Sequence, residues 1–422
     1  MAEPLDALEA SERLWTGTSS PDEFLPWSFD GVLVEVAPGT GFIPSFGNVT
    51  AMVFDGALLL VDTGSPVTAG LVHQRARTWT AAPLHSAVFS HGHIDHVFGT
   101  AAFEEEAESN RDPAPQVVAH AALPARFDRY RRTAGYNGWI NRRQFQIPDL
   151  EWPTDYRYPD VTYESDLTLD VAGVTVELHH ARGETDDHTW TWVPDRRVLC
   201  CGDLFIWATP NAGNPQKVQR YPREWALALR TMAACRPEVL LPGHGLPILG
   251  ADRVQQALGD TADLLDSLED QTVELMNAGA ALDEIIHAVR APAHLLDRPY
   301  LRPVYDEPEF IVRNIWRLYG GWYDGNPAHL KPAPDAALAG EIAALSGGAP
   351  RLAQRAWALA EQGDLRLAGH LAQMAADAAP DDSAVQAAKA AVFRARVAAE
   401  SSTMAKGIFT AAAIDAETQQ TP

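Results

Sequence analysis

Between His91 and His96 the chain sets three histidines and an aspartate in the order H-x-H-x-D-H. Neutral imidazoles and carboxylates are ligands for zinc, and also for iron or manganese. Three more candidates of the same chemistry follow: His188 after "ARGETDD", Asp203 closing "RRVLCCGD", and His244 inside "LPGHG". Together with His91, His93, Asp95 and His96 they make five histidines and two carboxylates. That is too many ligands for one tetrahedral ion, and it suits two ions if one carboxylate is shared. The H-x-H spacing places two imidazoles on one side of an extended segment, with Asp95 and His96 turned toward a second ion. Two ions ~3.5–4 Å apart would generate a nucleophile from water near neutral pH, without a serine or cysteine.

Such ligands need a rigid frame. Each cluster stands where a short apolar run stops. "ALLLVDTG" (57–64), "HSAVFSHGH" (85–93), "QVVAH" (116–120), "VTVELHHARG" (174–183), "RRVLCCGD" (196–203) and "EVLLPGHG" (238–245) all read as buried strands ending in polar or glycine-rich turns. Strands interspersed with helical patches predict an α/β architecture up to about residue 250. Beyond it Ala, Leu, Asp, Glu and Arg take over at helical spacing. "DRVQQALGDTADLLDSLEDQTVELMNAG" predicts a long helix closed by Gly279, and "DEPEFIVRNIWRLYGGWYDGNP" a second one broken at Gly320-Gly321. Residues 351–399 resemble one tetratricopeptide-like helical hairpin and the start of another, too little for a solenoid. The expected organisation is therefore a catalytic domain over 1–250, a helical domain over 251–400 and a flexible tail over 401–422.

Composition narrows the partners. Hydrophobic residues form 46% of the 422, ample for packed cores, and the formal charge of −23 repels phosphate backbones and anionic membranes. Nucleic acid and membrane are thus excluded as expected partners, while a small anionic substrate is not, because bound cations dominate their local field. Cys200, Cys201 and Cys235 are too few for a disulfide framework and read as reduced thiols of a cytoplasmic protein. The first fifteen residues lack the apolar core of a signal peptide, and no apolar run approaches the ~20 residues of a membrane span.

The order H-x-H-x-D-H, a later histidine, a strand-ending "GD" and "PGHG", with "VDTG" at 61–64, resembles the metallo-β-lactamase superfamily over roughly residues 30–250. The resemblance implies an αββα sandwich with metals at one edge of its sheets. It assigns His91, His93 and His188 to a first metal, Asp95, His96 and His244 to a second, and Asp203 to the bridge. It also implies catalytic roles for Asp95 and Asp203 and two Zn2+ per chain. The remainder, above all "YDGNPAHL" (323–330), resembles the dimerisation domain of alkyl sulfatases and implies a homodimer. "RRTAGYNG" (131–138) fits the same family and implies a substrate-binding role for Tyr136. One departure stands out: alkyl sulfatases carry glutamates at the positions given to His188 and Asp203. A histidine-plus-aspartate set is that of lactonases, thioesterases and phosphodiesterases.

The expected function is a binuclear zinc hydrolase cleaving a small ester-type substrate, alkyl sulfatase-like. A lactonase or a thioesterase/phosphodiesterase is the alternative. A non-catalytic metal-binding scaffold should have lost ligands, and none of the seven positions is lost. Asp62 is read as a carboxylate that fixes a turn or orients a ligand rather than as a ligand itself.

Overall fold

The structure, a computed structural model, describes residues 6–20 and 32–418. Strands β1 (Val34–Ala37), β2 (Thr40–Ile43), β3 (Val49–Phe54), β4 (Ala57–Val61), β5 (Leu84–Val88), β6 (Gln116–His120) and β7 (Val161–Tyr163) lie side by side in chain order as a seven-stranded sheet. Pairing is antiparallel from β1 to β4 and parallel from β4 to β7. A second sheet runs through β8 (Asp166–Val171), β9 (Val174–His180), β10 (Thr189–Val193), β11 (Val198–Ile206), β12 (Val239–His244) and β13 (Ile248–Leu249). Only β11 and β12 are parallel there.

Strands flanked by parallel neighbours inside a sheet tend to be buried on both faces, which suits the continuous apolar runs of β4, β5 and β11. β11 is buried throughout, and β4 from its second residue on. The edge strand β8 alternates instead between more and less exposed positions. The sheets are joined at several points. Asn48 Nδ2 donates to the carbonyls of Pro242 at 3.1 Å and Gly245 at 2.9 Å, and Thr189 N donates to Ser90 O at 2.6 Å. Arg196 reaches across to Gly39 O and Val53 O at 2.7 and 2.5 Å. The carboxyl ends of β4, β5 and β12 and the second half of β11 carry the sequence-singled residues, the usual place for a site in such sheets. Asp203 differs from expectation, because β11 continues past it to Ile206. A shift in the β11–β12 register between Cys200 and Gly202 lets the strand turn its polar side chain inward without ending.

By packing, the chain divides elsewhere than at residue 250. Among the described residues, one unit comprises those of 6–134, 153–279 and 284–321, the other those of 135–152, 280–283 and 322–418. The first therefore keeps the Ala251–Asn277 and Pro308–Gly320 helices with the sheets. Val254, Leu258, Leu265 and Leu268 form the buried stripe of the former, and Ile311 and Ile315 that of the latter. In the second unit, Ala349–Glu361, Leu365–Ala378 and Ser383–Ala399 are the expected helical hairpins, packed through Ala356, Leu359, Ala368, Ala372 and Val392.

The tail is corrected: 403–418 is a helix, Thr403–Thr418, with Met404, Ala405, Ala413 and Ala416 buried. Phe409 meets Phe393 at 5.8 Å, and the Arg396 guanidinium lies 4.1 Å from the Phe409 ring centre. Gly407 lies against the Gln144 carbonyl, where a Cβ would come within 2.1 Å of the oxygen. The segment is rich in alanine and carries Met404, Ile408, Phe409 and Ile414, apolar side chains that a packed helix can bury. Residues 419–422 of the expected tail lie outside the described residues.

Candidate metal centre

The turn after β4 supplies the first support. Asp62 sits at φ +60° and is buried. Its Oδ1 accepts from Ser90 N at 2.7 Å, and its Oδ2 accepts from Ser90 Oγ at 2.8 Å and pairs with His96 Nδ1 at 2.8 Å. Fixing Nδ1 as the donor leaves His96 Nε2 as a lone pair, the orientation a metal-binding imidazole needs. Ser90 Oγ in turn contacts His91 Nδ1 at 2.9 Å, so that His91 also presents Nε2.

Two groups of ligand-type atoms result. His91, His93, Glu184 and Asp203 form one, and Asp95, His96 and His244 the other. In the first, His91 Nε2 and His93 Nδ1 are 2.7 Å apart, and each lies 3.4 Å from Glu184 Oε2. In the second, His244 Nε2 is 3.2 Å from Asp95 Oδ2, and His96 Nε2 is 3.5 Å from the same oxygen. Atoms bound at ~2.0–2.2 Å to one ion lie about 3 Å from each other, so these separations suit metal ligands. The Asp203 carboxylate faces both groups. Oδ2 is 3.7 Å from His91 Nε2 and 3.3 Å from His244 Nε2, and Oδ1 is 3.5 Å from His96 Nε2. Gly243 makes room for it, since a Cβ there would fall 2.0 Å from Asp203 Oδ1.

The donor set fits cations on two further counts. His96 Nε2, Glu184 Oε2 and Asp203 Oδ1 are buried and make no hydrogen bond, an arrangement that is costly unless something else satisfies them. Electrostatics agree. Burial opposes the charged form of His244, but the nearby Asp203 and Asp95 carboxylates outweigh it and push the imidazole up to about 10. Burial likewise opposes ionised Glu184, yet His93 and Arg220 bring it down to about 2. The pocket holds ionised carboxylates and calls for positive charge.

His188 differs from its assignment. It is buried and stacked on His91 at 4.8 Å, but its Nε2 accepts the backbone N–H of Asp203 at 3.1 Å. That lone pair is used to fix the strand carrying Asp203, and the carboxylate of Glu184, four residues earlier, occupies the place beside His91 and His93. In the sequence Glu184 is one glutamate of "ARGETDDH" with no partner at a metal-ligand spacing, and only the fold brings it beside His91 and His93. Asp187 was also passed over. Its Oδ2 accepts from Gly92 N at 3.0 Å, its Oδ1 pairs with Arg126 Nε at 2.8 Å, and both residues are buried. The His91-Gly92-His93 turn is thus held from below. Lys217, on the loop after β11, feels the Asp95 and Glu184 carboxylates, while burial and Arg220 bring its ammonium down to about 8. Tyr136 lies on the Ala134–Phe145 helix in the second unit, 59% exposed and 6.3 Å from the Trp139 ring.

Comparison with known proteins gives the following. Residues 43–244 match the metallo-beta-lactamase superfamily, and residues 281–419 match the alkyl sulfatase dimerisation family. A linear primary-alkylsulfatase of a Pseudomonas species is 30% identical over 359 residues, 80% of this chain and 68% of that protein. An (R)-specific secondary-alkylsulfatase of Pseudomonas is 26% identical over 77% of this chain and 53% of its own length. The solved structure of the stereoselective inverting sec-alkylsulfatase Pisa1 from Pseudomonas superposes with a TM-score of 0.82 at 23% identity, covering 92% of this chain and 66% of that one. The chain thus spans between about half and two thirds of the length of these relatives.

Proposed function

Since this chain belongs to the metallo-β-lactamase superfamily, and within it to the alkylsulfatases, we propose that it is a metal-dependent hydrolase that splits alkyl sulfate esters into alcohol and sulfate. The observation that carries the reading is Glu184. With a carboxylate beside His91 and His93, the ligand set moves away from the histidine-based one of lactonases and thioesterases and toward that of alkyl sulfatases.

In this reading His91, His93 and Glu184 would hold one zinc ion and Asp95, His96 and His244 a second, and Asp203, whose carboxylate faces both groups, would serve both. Bound divalent ions would supply a nucleophile from water and Lewis-acid stabilisation of developing negative charge. The chain's own groups do the rest. Asp62 and Ser90 fix the tautomers of His96 and His91. Asp203 spans both sides of the centre from a buried strand, so its position does not depend on a mobile loop. Lys217 offers an ammonium to an anionic sulfate, and the buried Asn214 Nδ2 is a donor without an acceptor on the same loop. A cation and an amide suit a sulfate better than the neutral carbonyl of a lactone. The acidic surface does not oppose this, because the local field at the centre is that of its cations.

The test is a substrate panel on metal-loaded protein: primary and secondary alkyl sulfates, a lactone, a thioester and a phosphodiester. Sulfate release from one of the alkyl sulfates is expected. Cleavage of the lactone or thioester with no sulfate release would overturn the substrate class.

A further inference from the structure

Glu184 divides its two oxygens between different neighbours. Oε2 makes no hydrogen bond and faces His91 and His93 at 3.4 Å. Oε1 turns away, accepts from Asn211 Nδ2 and lies 3.5 Å from Arg220 Nη2. Arg220 Nη1 also donates to the Glu184 main-chain oxygen, so one guanidinium grips both the carboxylate and the backbone of this residue. Arg220 is 1% exposed, and a charge so deep persists only where its partners are fixed.

The partner that fixes it comes from far along the chain. Asn314, buried on the Pro308–Gly320 helix, donates from Nδ2 to Arg220 O at 3.1 Å, and its Oδ1 accepts from Arg220 N at 3.5 Å. A single amide side chain thus brackets both backbone groups of Arg220 as a neighbouring strand would. The rest of the loop is pinned to the same stretch. Thr209 N donates to Arg302 O at 2.9 Å, and Thr209 Oγ1 to Leu301 O at 2.7 Å. Gly213 N donates to the buried Asp306 Oδ2 at 2.5 Å. A Cβ on Gly213 would come within 2.2 Å of the backbone of Phe310 and Ile311, so loop and helix touch without a side chain between them.

We propose that Arg220, seated by Asn314, is the positioning residue of the Glu184 carboxylate, which makes residues 301–314 part of the metal centre. The proposal rests on Glu184 being a ligand, as argued above. It assigns a role in the centre to part of a sequence region that matches a dimerisation family.

The test uses the full chain, stripped and titrated with Co2+, whose visible bands report ligand geometry, followed by the rate of Co2+ loss to a chelator. Glu184→Gln is the reference. Arg220→Gln and Asn314→Ala are each expected to weaken binding at one of two Co2+ positions by about 10- to 100-fold, the usual effect of removing a ligand's own partner. Arg220→Lys should recover part of that loss. Melting curves identify unfolded variants. Should Arg220→Gln not fold, Asn314→Ala, which keeps the guanidinium, decides the matter. If Glu184→Gln weakens Co2+ binding while Arg220→Gln and Asn314→Ala leave affinity and bands unchanged, the relay is wrong and the ligand stands. If Glu184→Gln itself changes nothing, the ligand assignment falls and the relay with it.

Discussion

Asp203 turns one carboxylate toward three imidazoles, at 3.3 to 3.7 Å from His91, His96 and His244. Asp203→Asn removes the charge and keeps the volume. Replacing a partner one bond removed from a metal costs about 10- to 100-fold in affinity or activity, so loss of the carboxylate proposed to serve both metals should cost at least ~100-fold in turnover. Metal content and kcat of the folded variant check it, and near-native values for both would remove Asp203 from the shared position. Asp62→Ala should act more mildly, at about 10-fold in metal affinity, because it frees the His96 tautomer without deleting a ligand. A competition titration against a chromogenic chelator reads this directly. The histidine cluster, Asp203 and His244 were legible in the sequence because their residue types and strand-end positions are unusual together. Glu184 was not, because in a chain with 56 acidic residues a lone glutamate in a loop carries no spacing signal. Only the fold shows that His188 spends its Nε2 on the Asp203 amide.

The strands explain why these residues meet. β4, β5, β11 and β12 are buried runs whose polar ends gather along one edge, and each apolar run singled out in the sequence corresponds to one of them or to β6 or β9. What the sequence could not give was close approach. Gly243 on β12 must lack a side chain because the Asp203 carboxylate of β11 passes where its Cβ would be. Gly243→Ala is expected to destabilise the fold by about 1–3 kcal/mol, as overpacking does, and to disturb the centre at the same time. Thermal melts and metal content measure the two effects, and an unaltered protein would contradict the packing described. The same strands shield two thiols. Burial pushes Cys200 up to about 12 and holds Cys201 well above the ordinary thiol range, while Cys235 is only half-buried at the end of the Pro222–Ala234 helix. A thiol reagent at pH 8 should therefore modify one cysteine in the native protein and all three after denaturation. Rapid native modification of Cys200 or Cys201 would mean that β11 opens readily.

At the scale of the molecule, the match of residues 281–419 to a dimerisation family and the exposed side chains of Trp322, Leu338, Leu345 and Trp357 support a homodimer. Light scattering at micromolar concentration should give about twice the 45.9 kDa chain mass. A monomer across that range would leave these apolar side chains facing water. The helical half was legible as helices from its period, but its division was not. The Pro308–Gly320 helix is amphipathic like its neighbours, and only its contacts tie it to the sheets rather than to the hairpins that follow. No helix among the described residues is long and apolar enough to cross a membrane, in keeping with the even spread of polar residues in the sequence. Metal-dependent release of sulfate is the central expectation for this chain. Its most direct test is to strip the protein with a chelator, add back Zn2+ stepwise, and follow sulfate liberated from a linear alkyl sulfate together with Zn2+ bound per chain. Release should be absent from the stripped protein and reach its full rate as occupancy approaches two ions per chain. Sulfate release that persists in metal-free protein, or that saturates at one ion, would contradict it.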